Sequence, residues 1–360
     1  MRVFRTLSVG LLAFLGLVRF DSFSASCQSL EQQNEILFQQ IQREHGLSDQ
    51  QMAEIRKIFA GSKYHMGQGN PAVTQHPVTP DECKVKLNNL HVQYENPRFE
   101  KICKAKFMAP LYDPSKEKPE DAKACIDQFE FPDIPCTYPV VWVQAREAAE
   151  ICWAMGKRLC DTHEWEGACS GDLEPPDYGF AHLLGLAPED AIHRMRYLHN
   201  QADAPTKSWS YGPTYQKGIC ATGSKKTPDC NGGSWTGCGS NTYPTGDFPA
   251  CKSKLDVYDL NGNAAEHMNL PLNESQMSSL GSKTLGYTEM KGSWFVFDTI
   301  RAHEDWCRWR APFWHGTRVM DEHSHANYHL SFRCCKSVEP ASKKASNVTP
   351  TSEEADGAKK

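Results

Sequence analysis

Apolar positions along the chain fall into distinct regimes. The first is a predominantly apolar, uncharged run, Leu7 to Val18 (LSVGLLAFLGLV), preceded by Arg2 and Arg5 and followed by the small residues Ser22, Ser24, Ala25 and Ser26. That layout predicts a secretory signal peptide over 1–26, since the run is too short to cross a bilayer comfortably. Residues 27–62 have helical spacing instead. Ile36, Leu37 and Ile41 share a face, Gly46 stops it, and Ser48 with Gln51 forms a capping box ahead of Met52, Ile55, Ile58 and Phe59. A helical hairpin closed by Gly61 is expected. Residues 63–123 lose the period and carry Pro71, Pro77, Pro80, Pro97, Pro110, Pro114 and Pro119, which predicts an irregular extension with Cys83 and Cys103 as a local staple. From 124 to 336 aromatic and cysteine density rises, and the Gly/Ser/Thr/Asn/Cys-rich stretch 200–251 reads as long loops tied by disulfides. Residues 337–360 have no apolar period and read as a disordered tail.

Composition narrows the class. Lys+Arg 39 against Asp+Glu 44 leaves a net charge of −5, with a pI near 6.3, so no nucleic-acid or anionic-membrane surface is suggested. A mean hydropathy of −0.58 excludes a polytopic membrane protein, and no transmembrane segment is expected in the mature chain. Nine Trp, 16 Phe and 12 Tyr are too many for a disordered one. The informative number is 15 cysteines. Cleavage near Ser26 leaves Cys27 at or next to the mature N-terminus and 14 others, an even number that suits a disulfide framework in a secreted, periplasmic or extracellular protein. A lipid anchor on Cys27 is not favoured, because Ser24 stands where a lipoprotein signal carries Leu.

Within the Cys-rich region, Ala145, Ala148, Ala149, Cys152 and Met155 lie on one helical face that Gly156 ends, and Asp161 or Thr162 can cap a second helix with Trp165, Ala168 and Cys169 facing inward. The runs CIDQFEFPDIP (125–135) and VVWVQAREAAEICWAMGKRLCDTHEWEGACSG (140–171), then VYDLNGNAAEHM (257–268), KGSWF (291–295) and LSFRCC (330–335), resemble in order the motifs of the formylglycine-generating enzyme (sulfatase-modifying factor) domain family. The resemblance covers roughly 124–336. It implies an α+β, C-type-lectin-like fold, loop-rich and disulfide-stapled, here with an N-terminal helical extension. It also implies bridges Cys152–Cys334 and Cys169–Cys307. Proximity and pattern suggest Cys160–Cys335, Cys220–Cys230 and Cys238–Cys251.

Candidate chemistry follows. In Asp259-Leu-Asn-Gly262-Asn-Ala264-Ala-Glu266, two carboxylates and the carbonyls of a Gly-containing turn suit a hard divalent cation. The resemblance implies calcium held by Asp259, Gly262, Ala264 and Glu266. The alternative is a polar turn in which Asp259 and Asn263 satisfy backbone N–H groups, and Asn200 is a candidate for a second site. The family's oxidase chemistry uses two cysteines that bind copper(I), three and eight residues after the Ser matching Ser293. Here those positions are Val296 and Arg301, so copper is not expected. Ala265 stands where the family usually has a groove Trp; Trp165, Ser293 and Trp294 are the remaining groove candidates. The stretch His303, Glu304, Asp305, His315, Glu322, His323, His325 and His329 could ligate iron or another transition metal, with His303, His323, His325 and His329 the proposed set, or could be a polar surface insertion. The leading expectation is a calcium- and disulfide-stabilised module that binds a peptide or protein ligand without copper oxidase chemistry. Its rival is a metal-dependent oxidoreductase, either formylglycine-generating or built on the histidine-rich stretch.

Overall fold

The computed structural model describes residues 29–311 and 316–338. The expected signal peptide, Cys27, His315 and most of the expected tail lie outside them. The hairpin forms as α1 (Leu30–His45) and α2 (Asp49–Gly61), with Gly46 in the left-handed region at φ 62° and Ser48 and Gln51 bonding reciprocally as the cap of α2. Its apolar face does not stand apart from the rest. Leu37, Ile41, Met52 and Ile55 share one buried cluster with Ala148, Ile151 and Cys152 of α5 (Ala145–Ala154), and with Phe131 and the much later Phe332.

Residues 63–123 are more ordered than their prolines suggest. They contain α3 (Pro80–Asn89), α4 (Pro97–Cys103) and β1 (Met108–Leu111). Pro80 and Pro97 each occupy a first helical turn, where the missing N–H costs nothing, so these prolines start helices.

Two sheets follow. The first has the order β1–β2–β7–β3, all antiparallel, from β2 (Ala124–Asp127), β3 (Arg158–Leu159) and β7 (Cys334–Ser337). The second places β4 (Ala265–Leu270) between antiparallel β5 (Tyr287–Lys291) and parallel β6 (Leu330–Phe332). α6 (Thr162–Ser170), capped by Asp161, sends Trp165, Ala168 and Cys169 into the core as expected, and α7 (Pro188–Asp203) covers the far end of β4 and β5.

Seven disulfides hold this mixture of helix, sheet and loop. Cys152–Cys334, Cys169–Cys307 and Cys160–Cys335 form as expected. Adjacent residues of a strand face opposite sides, so Cys334 reaches α5 while Cys335 reaches Cys160 in the other core cluster. The other pairings differ from expectation. Cys83 joins Cys136 and Cys103 joins Cys125, so α3 and α4 are each tied to the domain and not to one another. Cys220 joins Cys251, and Cys230 joins Cys238. Closure entropy grows only slowly with loop length, so nearness in sequence is a weak guide; tertiary packing brings 220 to 251.

Candidate functional site

The turn before β4 is built on constrained backbone. Asp259 and Asn263 have φ of 57° and 56°, and Gly262 lies at 98°, where an added Cβ would meet Thr222 Cγ2 at 2.9 Å and the Ala221 carbonyl at 3.0 Å. Only glycine fits there without displacement. The turn is fixed by Asn263 N–H donating to the Ala221 carbonyl (2.8 Å) and Tyr243 N–H donating to Asn263 Oδ1 (2.8 Å).

Asp259 and Glu266 face a buried partner that sequence reasoning missed. Glu130, fully buried, accepts from the Ala264 N–H through Oε1 (3.2 Å), while its Oε2 has no donor. Asp259 is similar: Oδ2 accepts from the Gly246 N–H at 2.6 Å and Oδ1 is left without a donor. Glu266 is fully used, with both oxygens bonded by Arg333 Nε (2.8 and 2.9 Å) and Oε2 also by Trp165 Nε1 (2.9 Å). Of the three buried carboxylates Arg333 bonds only Glu266 and acts on Asp259 and Glu130 through space, so with all three ionised two negative charges would be in excess. Burial pushes the Asp259 and Glu266 carboxyls up to about 7, and burial together with Asp259 pushes Glu130 well above the usual range. The chemistry of this donor set, two carboxylate oxygens without donors beside the Gly262–Ala264 turn, is of the kind a hard divalent cation takes, although Glu130, Asp259 and Glu266 do not all bring ligand atoms within 4.8 Å of one another. The signal for Glu130 was available in Phe129-Glu130-Phe131, an acid between two aromatics in the segment that follows β2.

The copper positions are apolar or cationic. Val296 is buried with Trp142, Trp294, Phe295, Phe297 and Tyr328, and Arg301 lies over the Tyr215 and Phe297 rings at 4.5 and 5.1 Å. All 14 cysteines among the described residues are in disulfides, Cys307 included. Two of the groove candidates are wholly internal. Trp165 is buried against Glu266 with Lys291 Nζ 5.1 Å from its ring, and Ser293 is buried with Oγ donating to Asp305 Oδ2 at 3.0 Å. Each faces core partners: Trp165 packs with Leu260 and Met268, and the residues that follow Ser293 fold inward as an aromatic block. Trp294 belongs to that block, 5.8 Å from Tyr328 and 4.5 Å from His329.

The histidines are not gathered. His303 stacks on Trp309 at 5.1 Å, His323 is exposed beside Asp321, His325 neighbours Asn327, and His329 packs on Trp294. Among the described residues, no three of these four bring ligand atoms within 4.8 Å of one another; Glu166, Asp177 and His199 do. Yet Glu166 is already bonded by Arg310 (3.0 and 3.1 Å) and Lys291 (3.1 Å), and His199 Nδ1 contacts Asp177 at 2.6 Å. A metal there competes with two fixed cations. Asn200 spends both side-chain ends on the Arg310 backbone, at 2.8 and 2.9 Å.

Taken together, the chain is a disulfide-stapled domain of mixed helix and sheet with a buried carboxylate cluster at the head of its central strand. The model of the sulfatase-modifying factor enzyme 1-like domain matches residues 73–338, and the chain belongs to that family. The match begins well before 124, in keeping with the strand β1 and the two helices that precede it. No curated protein matches the chain.

Proposed function

We propose that this chain is a secreted or periplasmic binding module of the family, C-type-lectin-like in fold, that uses the enzyme scaffold to hold a peptide or protein ligand and does not carry out copper oxidase chemistry. One observation carries this reading. The positions where the family resemblance places two thiolates are a buried Val296 and a ring-stacked Arg301, and the nearby Cys307 is locked to Cys169. Copper(I) prefers soft sulfur ligands, and neither an aliphatic nor a cationic side chain replaces one. Seven disulfides accord with folding in an oxidising compartment. Among the described residues no helix is long and apolar enough to cross a membrane.

Calcium, which the family commonly binds, is assigned to Asp259 and Glu130 with the Gly262 and Ala264 carbonyls, Glu266 completing the charge. When bound it supplies no reaction step; it ties β2's following segment to the β4 turn. The functional test is incubation with a sulfatase-type cysteine peptide and copper(I), read by mass spectrometry. No aldehyde should form, and robust turnover would overturn the proposal.

A further inference from the structure

Arg301 sits where a ligand could sit. Its guanidinium carbon lies 4.5 Å from the Tyr215 ring centroid and 5.1 Å from that of Phe297, and the two rings stand 6.3 Å apart at 60°, forming two walls of a cage. Beside the cage, Asp298 Oδ1 accepts from the Tyr215 hydroxyl at 2.7 Å, which fixes both the carboxylate and the ring. The cage is rigid where it meets the core. Asp298 N–H donates to the Thr222 carbonyl (3.0 Å), and the N–H groups of Thr299 and Ile300 both reach the Val296 carbonyl (2.9 Å). Arg301 itself is exposed, just past this turn.

We propose that this cage is a guanidinium-binding site, occupied in the free protein by the chain's own Arg301 and surrendered to an arginine side chain of a peptide or protein ligand. The seated guanidinium shows that the walls accept that planar cation, whose stacking on aromatic faces a lysine ammonium reproduces poorly. A cation–ring contact at an exposed site is weak enough to exchange. Charge favours a basic visitor once Arg301 swings out: Asp298 stands beside the Tyr215 ring and Glu304 lies further along this stretch, bonded to Lys207 at 3.1 Å, while Asp305 is buried and spent on Trp209 and Ser293. Buried Phe297 would then be left uncovered unless another flat group took the place of Arg301. The inference rests on the ligand-binding reading above and specifies its chemistry.

The test uses the full chain and a hexa-arginine peptide, titrated calorimetrically, with hexa-lysine in parallel. Arg301→Ala should bind hexa-arginine about tenfold more tightly than the wild type, because the internal competitor is gone, and should favour it over hexa-lysine. Lys63→Ala removes the same charge from another exposed position and should change affinity by no more than about twofold. Adding Tyr215→Ala, or the shape-preserving Asp298→Asn, to Arg301→Ala should abolish the gain. An equal gain in Lys63→Ala, or one that survives both second substitutions, would show attraction to the net negative surface alone and overturn the cage. Either result leaves the peptide–copper assay untouched, so the two readings fail separately.

Discussion

Chelating divalent cations should lower the melting temperature of the purified protein by roughly 5 °C. The size follows from the buried cluster: Arg333 bonds only Glu266 of the three carboxylates Glu130, Asp259 and Glu266, and Asp259 Oδ1 and Glu130 Oε2 have no donors. A cation bound only by the native state and present at about a hundred times its dissociation constant adds about 3 kcal/mol. For a chain larger than 250 residues each kcal/mol moves the midpoint by about 2 °C, the low end of the usual range. Differential scanning calorimetry with calcium or with chelator reads the difference directly. Asp259→Asn removes a charged donor and should make the melting curve insensitive to chelator. Glu130→Gln is the sharper probe, because its remaining carbonyl can still accept from the Ala264 N–H. If calcium is held there, the calcium-dependent increment should shrink by at least half. If the turn is merely polar and its excess charge is met by protons, chelator will change nothing and Glu130→Gln will raise the midpoint near neutral pH by removing the cost of protonating a buried carboxyl that is ionised in the unfolded chain. That pair of outcomes would refute the assignment.

Further expectations concern the rest of the scaffold. Although burial opposes its charge, His199 is pushed up to about 9 by Glu166 and Asp177, so its contribution to stability is complete below pH 6.5 and is lost as pH rises to about 9. The loss should reach at most about 3 kcal/mol, and His199→Gln should flatten the slope of stability against pH across that window; an unchanged slope would remove His199 from the network. Non-reducing peptide mapping should find Cys220 linked to Cys251 and Cys230 to Cys238, and a Cys220–Cys230 peptide would contradict the loop packing. Ile41→Ala, at a wholly buried position, should cost about 2–5 kcal/mol and lower the midpoint of a single transition; a separate early transition would mean that the hairpin folds independently of the domain.

Local signals settled much of this molecule. The caps at Ser48 and Gly46, the inward face of α6 and the three bridges Cys152–Cys334, Cys160–Cys335 and Cys169–Cys307 were legible because each depends on a short pattern or on ordered family motifs. So was the absence of thiol-bearing residues at 296 and 301, a matter of counting from Ser293. Other features depended on which segments meet. The prolines at 80 and 97 are the exception: the adjacent caps Thr79, with Glu82, and Asn96 were local signals that mark them as helix starts. Trp165 looked like a groove wall until its indole was found bonded to Glu266, and Glu130 drew no notice because its partners lie 129 and 136 residues further along. The Tyr215–Arg301 stack also joins segments far apart in sequence. A local pattern records which residues can be buried or capped; which charges end up around one guanidinium, and which cysteine waits opposite another, is decided by the long-range packing of the two sheets.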